Sequence, residues 1–256
     1  MPSNYDYEIP KTVLKILKAK HEFMAKLSPD EPRPYSYKVS LQFPEGLLLH
    51  STLIADILNE FCSEKSLENS IPVECLILGD VTYGACCIDD LASKRLACDF
   101  IVHYGHSCLV PIPDMTISNV LYVFVEIGID IRHLLESVAF NFSPSDKLYL
   151  LGIVQFNTTL VRLKHLLVTE KGFTDVTIPM ERPRASGEVL GCTSPEIALP
   201  EELKDQPKLQ EGPENDQEMG PGAAGSVIFV GDGRFHIESC MIRNAHLRFF
   251  QYDPFK

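Results

Sequence analysis

The chain has 256 residues, 45% hydrophobic and 23% charged, enough for one large or two smaller domains with a sizeable core. Its 35 acidic against 23 basic residues give a net charge of −12, which argues against nucleic acid as a partner. No uninterrupted apolar stretch approaches the roughly 18 residues that suggest a membrane span, so no membrane partner is expected.

The N-terminal MPSNYDYEIPKTV lacks the positive start and apolar core of a secretory signal. Eight cysteines without such a signal fit reduced thiols or metal ligands better than disulfides, and the expected location is the cytosol. Residues 10–27 repeat apolar side chains at Val13, Leu14, Ile16, Leu17, Phe23, Met24 and Leu27, a helical spacing with a proline at its start. SPDEPRPYSY then interrupts regular structure with three prolines before a strand at Lys38–Phe43.

PEGLLLHSTLIADILNEF reads as a turn and a helix, and IPVECLILGD as the next strand. The alternation continues with a helix near Asp89–Leu96, strands Phe100–His103 and Asn119–Glu126, a helix Ile131–Phe140, a strand Lys147–Gln155 and a helix Thr158–Lys171. Strands separated by single helices predict an α/β fold of βαβ units: consecutive similar domains, each a small parallel sheet flanked by helices.

Residues 196–225 carry eight acids against two lysines, with four prolines and four glycines, and read as a disordered surface insertion. SVIFVGDGRF restores a strand that ends in a glycine turn, followed by a helix His236–Asn244 and a last strand near Phe249–Tyr252. GDGRFH lacks the third glycine of a dinucleotide fingerprint, so Gly231 and Gly233 are read as turn residues.

Chemistry concentrates between Gly79 and Pro113, GDVTYGACCIDDLASKRLACDFIVHYGHSCLVPIP, which holds four of the eight cysteines together with His103 and His106. Groups placed just after parallel strands project from the carboxyl edge of an open α/β sheet, where ligands bind. Cys86 is read either as a metal ligand or as a buried small hydrophobe. His103 and His106 are read either as groups lining a cleft or as zinc ligands with Cys108 or Cys86, although no CxxC pair supports zinc.

GDVTYGACC followed by HYGHSCLVP resembles the diphthamide-synthesis enzymes, the 2-(3-amino-3-carboxypropyl)histidine synthases of the eukaryotic subunit 1 type. LQFPEGLL, GEVLGCTSP and VGDGRFHIES extend the resemblance along nearly the whole chain. It implies a 4Fe–4S cluster with one thiolate from each of three similar domains, Cys86 and Cys192 being the first two; thiolates are soft, charged donors that suit iron. The third ligand belongs to a C-terminal domain that this chain does not contain, and Cys240 is read as core packing. The expected domains are an N-terminal helix (1–30), a first α/β domain (31–118), a second (119–225) and the start of a truncated third (226–256).

The resemblance further implies transfer of the 3-amino-3-carboxypropyl group of S-adenosylmethionine to a histidine of translation elongation factor 2. A reduced cluster would bind the sulfonium at an open iron and break one carbon–sulfur bond, releasing an aminocarboxypropyl radical; positioning is then the protein's main task. His103, His106, Gln155, Asp232, Arg234 and His236 are the expected substrate-binding residues, with Arg234 suited to a carboxylate. The implied partners are a second synthase subunit in a heterodimer, elongation factor 2 and a small iron protein as electron donor. The competing expectation is a truncated, non-catalytic isoform that binds the second subunit or the elongation factor.

Overall fold

Short apolar runs rich in Val, Ile, Leu, Phe and Tyr become strands that pair in parallel, and the inner ones, Phe100–Tyr104 and Ser226–Val230, are buried on both faces, as covered parallel sheets require. The computed structural model describes residues 1–28, 32, 34–63, 70–79, 87–106, 110–182, 184–198 and 225–256. Residues 1–125 and 126–256 form two units.

The first unit comprises β1 (Tyr5–Asp6), α1 (Ile9–Lys26), β2 (Tyr37–Gln42), α2 (Ser51–Cys62), β3 (Val73–Leu78), α3 (Asp90–Arg95), β4 (Phe100–Tyr104) and β5 (Val120–Val123). Its sheet has the order β3-β2-β4-β5, parallel throughout. The second contains β6 (Glu126–Ile127), α4 (Ile131–Asn141), β7 (Lys147–Gly152), α5 (Asn157–Lys171), β8 (Asp175–Thr177), β9 (Ser226–Val230), α6 (Phe235–Arg243) and β10 (Arg248–Tyr252). Its sheet, β8-β7-β9-β10, is also parallel. Numbered within its own sheet, each unit shows the same order, 2-1-3-4, so the expected succession of similar α/β domains is present.

Helix α1 belongs to the first unit's core and is not a separate N-terminal element. Its buried stripe is Thr12, Ile16 and Lys20. The Lys20 ammonium donates to the Cys62 carbonyl (2.9 Å), Ser70 Oγ (3.1 Å) and the Ile71 carbonyl (3.3 Å), tying α1 to the end of α2 and the approach to β3. A cation at the last carbonyls of α2 also meets the negative end of that helix.

Two expected boundaries move. Residues 119–125 close the first sheet and do not open the second domain, because Val120–Val123 pairs with Ile101–Tyr104. Residues 226–256 do not start a third domain: β9 pairs with Leu148–Gly152 of β7, and β10 pairs with β9. Apolar β9, buried at every position, finds its hydrophobic cover inside the second core. The expected strand 147–155 stops at Gly152 and gives way to a short 3-10 turn at Val154–Phe156. Most of the expected insertion 196–225 lies outside the described residues.

Gly152 ends β7 where it touches β9. A Cβ there would stand 2.6 Å from the Val230 carbonyl oxygen, a backbone atom that the sheet holds in place. Gly152→Ala should therefore destabilise the chain by about 1–3 kcal/mol, the range of an overpacked core. Urea unfolding with an unchanged midpoint would refute this packing account.

Candidate functional site

Parallel strands deliver all their exits to one edge, and each residue singled out from the sequence follows or ends such a strand in chain order. In the first unit Cys86 follows the second strand, β3, while His103 and His106 lie at the end of the third, β4. In the second unit Cys192 follows the second strand, β8, and Asp232, Arg234 and His236 follow the third, β9. Gln155 follows the second unit's first strand. The two cysteines thus hold the same place in chain order, each after the second strand of its own sheet. Cys86 and Cys108 themselves lie outside the described residues.

Cys192 sits at the tip of a short loop whose construction is visible bond by bond. After β8 the chain returns beside β7: Gly152 N–H donates to the Gly187 carbonyl and Val189 N–H to the Gly152 carbonyl, both at 2.9 Å. Leu190 and Thr193 then exchange N–H···O bonds of 2.9 and 3.3 Å, closing a loop of only Gly191 and Cys192. A Cβ on Gly191 would fall 1.7 Å from the Phe235 ring, so a larger residue there would displace that exposed ring.

The loop is braced further along. Arg184 Nη1 donates to Thr193 Oγ1 at 2.7 Å, and Ser194 Oγ donates to the Ser239 carbonyl at 3.2 Å. Asn244 donates to the Pro195 carbonyl (2.9 Å) and accepts from Ile197 N–H (2.7 Å). The Cys192 thiol is exposed on this framework, which suits a soft donor that must meet an outside group.

In the first unit Gln42, at the end of β2 and 1% exposed, holds the segment that follows Cys86. Its amide donates to the Cys87 carbonyl (2.7 Å) and accepts from Asp89 N–H (3.0 Å). Asp89 caps α3 through Ala92 N–H, and Ser93 bonds to Ser40 on the sheet. His103 is 1% exposed; its Nε2 pairs with the His106 carbonyl at 3.1 Å and its ring meets Tyr122 edge-on. These histidines are joined to each other through the main chain, and among the described residues no group of three His, Cys, Asp or Glu side chains gathers as a metal site.

At the second unit's third exit, Gln251 donates to the carbonyls of Gly231 (2.9 Å) and Gly233 (2.8 Å), fixing the glycine turn. Arg234 pairs with Glu238 at 2.8 Å on the surface, a contact of small energy that a stronger carboxylate ligand can replace. Gln155 Oε1 is buried without a hydrogen-bond partner, an acceptor aimed from the 3-10 turn that follows β7. A cavity of 780 Å³ lined by His133, Glu136, Phe140, Lys171 and Phe173 lies by the amino ends of β7 and β8, at the opposite edge from these groups.

Gln42, Arg184, Thr193 and Asn244 were not singled out from the sequence. Gln42 carried a faint signal, a polar residue in the apolar run VSLQF. Arg184 carried none.

Residues 43–256 match the family model described as "Putative diphthamide synthesis protein". The 2-(3-amino-3-carboxypropyl)histidine synthase subunit 1 of Dictyostelium discoideum is 41% identical along the whole chain, which spans 45% of that relative. The protein of the same name from Schizosaccharomyces pombe is 40% identical and is spanned to 49%. The chain thus spans about half the length of the curated relatives it matches. The crystal structure of Dph2 from Pyrococcus horikoshii with a 4Fe-4S cluster is similar in fold, with a TM-score of 0.62 and 22% identity, covering 95% of this chain and 58% of that one.

Burial separates the cysteines by reactivity. It pushes the Cys240 thiol up to about 11 and the Cys75 thiol up to about 12, and Cys98 is also raised, so these stay neutral at pH 8. Iodoacetamide at pH 8 should label Cys192 on the native chain well before Cys75, Cys98 or Cys240, as read by peptide mass spectrometry. Early labelling of Cys240 would contradict its place in the core.

Proposed function

The chain belongs to the diphthamide synthesis family, and from that membership we propose that it carries two of three cluster ligands of a transferase. This enzyme moves the 3-amino-3-carboxypropyl group of S-adenosylmethionine to a histidine of translation elongation factor 2. The observation that carries the reading is the exposed Cys192 thiol on its braced loop, after the second strand of its sheet as Cys86 comes after the second strand in chain order. The names of the relatives support the transferase over a purely binding role.

Cys86 and Cys192 would hold a 4Fe–4S cluster, such as the archaeal structural neighbour contains. When bound, such a cluster supplies an open iron for the sulfonium and the electron that breaks a carbon–sulfur bond. A third thiolate would come from the length of the relatives that this chain does not span.

The remaining roles fall to side chains at the strand exits. Arg234, once released from Glu238, offers a forked donor to the methionine carboxylate. Gln155 Oε1 offers an acceptor to the adjacent ammonium, whose pairing would remove a buried unsatisfied oxygen. Asp232 and His236 flank that exit, and His103 and His106 would orient the target imidazole in the first unit. Each holds a group still, so the work is proximity and not proton transfer. A second subunit, elongation factor 2 and a small iron protein are the partners in this reading, and the cytoplasm is where they meet.

The test is anaerobic reconstitution of the chain with its second subunit, followed by S-adenosylmethionine and dithionite. Near-stoichiometric iron and sulfide with release of methylthioadenosine is expected. Cys86→Ala and Cys192→Ala should each abolish cluster uptake, whereas Cys87→Ala should retain it. Undiminished iron in Cys192→Ala would overturn the assignment.

A further inference from the structure

We propose that two buried polar side chains are positioning residues, Arg184 setting the aim of Cys192 and Gln42 fixing residues 87–89 of the first unit, a proposal that rests on reading Cys192 and Cys86 as ligands. Each grips the residue immediately after its cysteine. Gln42 reaches across 45 positions to the Cys87 carbonyl and 47 to Asp89 N–H. Its own register lies opposite Leu78, the last residue of β3, and His103 of β4, so it stands where the first unit's strands diverge. Arg184, with a side chain 4% exposed, forks between Glu181 Oε2 and Thr193 Oγ1, both at 2.7 Å.

Stability alone does not call for either group. The Arg184–Glu181 pair is exposed at its carboxylate end and so adds little stability, and a buried amide must satisfy its polar atoms to avoid a penalty. What both provide is direction. A forked guanidinium and a two-headed amide fix their partners in one orientation, whereas apolar contacts tolerate sliding. Outer partners of this kind hold metal ligands in register, and losing one typically costs about 10- to 100-fold in metal affinity.

Removing Arg184 would also break its bond to Glu181, so the test is set on its other acceptor, Thr193. Thr193→Val keeps the shape and deletes the hydroxyl; Thr193→Ser keeps the hydroxyl and loses a methyl. Two readouts are taken on the full chain: amide hydrogen exchange at residues 190–193 without cluster, and the rate at which a chelator strips iron after reconstitution with the second subunit.

Thr193→Val should exchange and lose iron about tenfold faster, the low end for an outer-shell partner, while Thr193→Ser tracks the wild type. Gln42→Met should do the same at residues 87–89, with melting temperatures confirming that each variant remains folded. Wild-type exchange and iron loss in Thr193→Val, or equal damage in Thr193→Ser, overturns the proposal. Iron retained in full by Cys192→Ala overturns the ligand reading instead, and that failure is visible apart from the exchange result.

Discussion

Parallel pairing is the constraint from which the rest of this structure follows. A parallel strand cannot return through a tight turn, so each must be reached by a crossover, and all crossovers restart from the same edge. With four strands in the order 2-1-3-4, the first and third strands stand side by side and the chain leaves them in opposite directions. The gap between those departures is where Gln42 lies in the first unit and Gly152 in the second. The candidate substrate-binding residues His103, His106, Gln155, Asp232, Arg234 and His236 are within about six positions of such a departure, whereas the two cysteines come after the second strand of each sheet.

Repetition of that order explains why the two cysteines can be compared at all. Cys86 and Cys192 share no immediate flanking sequence beyond a small residue before the thiol, GAC in one and LGC in the other. Their equivalence is topological: each follows the second strand of its own sheet. The supports differ, a strand-borne amide in the first unit and a guanidinium with helix contacts in the second. Similar folds therefore repeat the strand order, and unrelated local contacts hold the segments that follow the second strand.

The strands and helices were legible because their apolar periodicity is local. VECLIL, FIVHY, KLYLLG and SVIFV each read as strands and form them. Asp175–Thr177 escaped notice because a three-residue strand with one buried side chain, Val176, leaves no period to read. The assignment of residues 226–256 to a third domain failed for a different reason. Which strand β9 pairs with is decided by contacts across 78 positions, Leu148 against Ser226, and sequence order carries no mark of that choice. The candidate cysteines and glycine turns were visible through motif spacing, but Arg184 and Asn244 act through partners that only the folded chain brings near.

An exposed thiol on a two-residue loop raises an entropic question. Fixing each backbone residue costs about 1–2 kcal/mol, and a loop left free would have to meet that cost when its ligand arrives. Here the cost is met during folding, by the paired Leu190 and Thr193 amides and the Asn244 clamp on residues 195 and 197. Binding energy is then available for the ligand itself. The same logic accounts for a buried arginine beside a surface loop: its contribution lies in the orientation it imposes on Thr193 and, through it, on the sulfur one residue away.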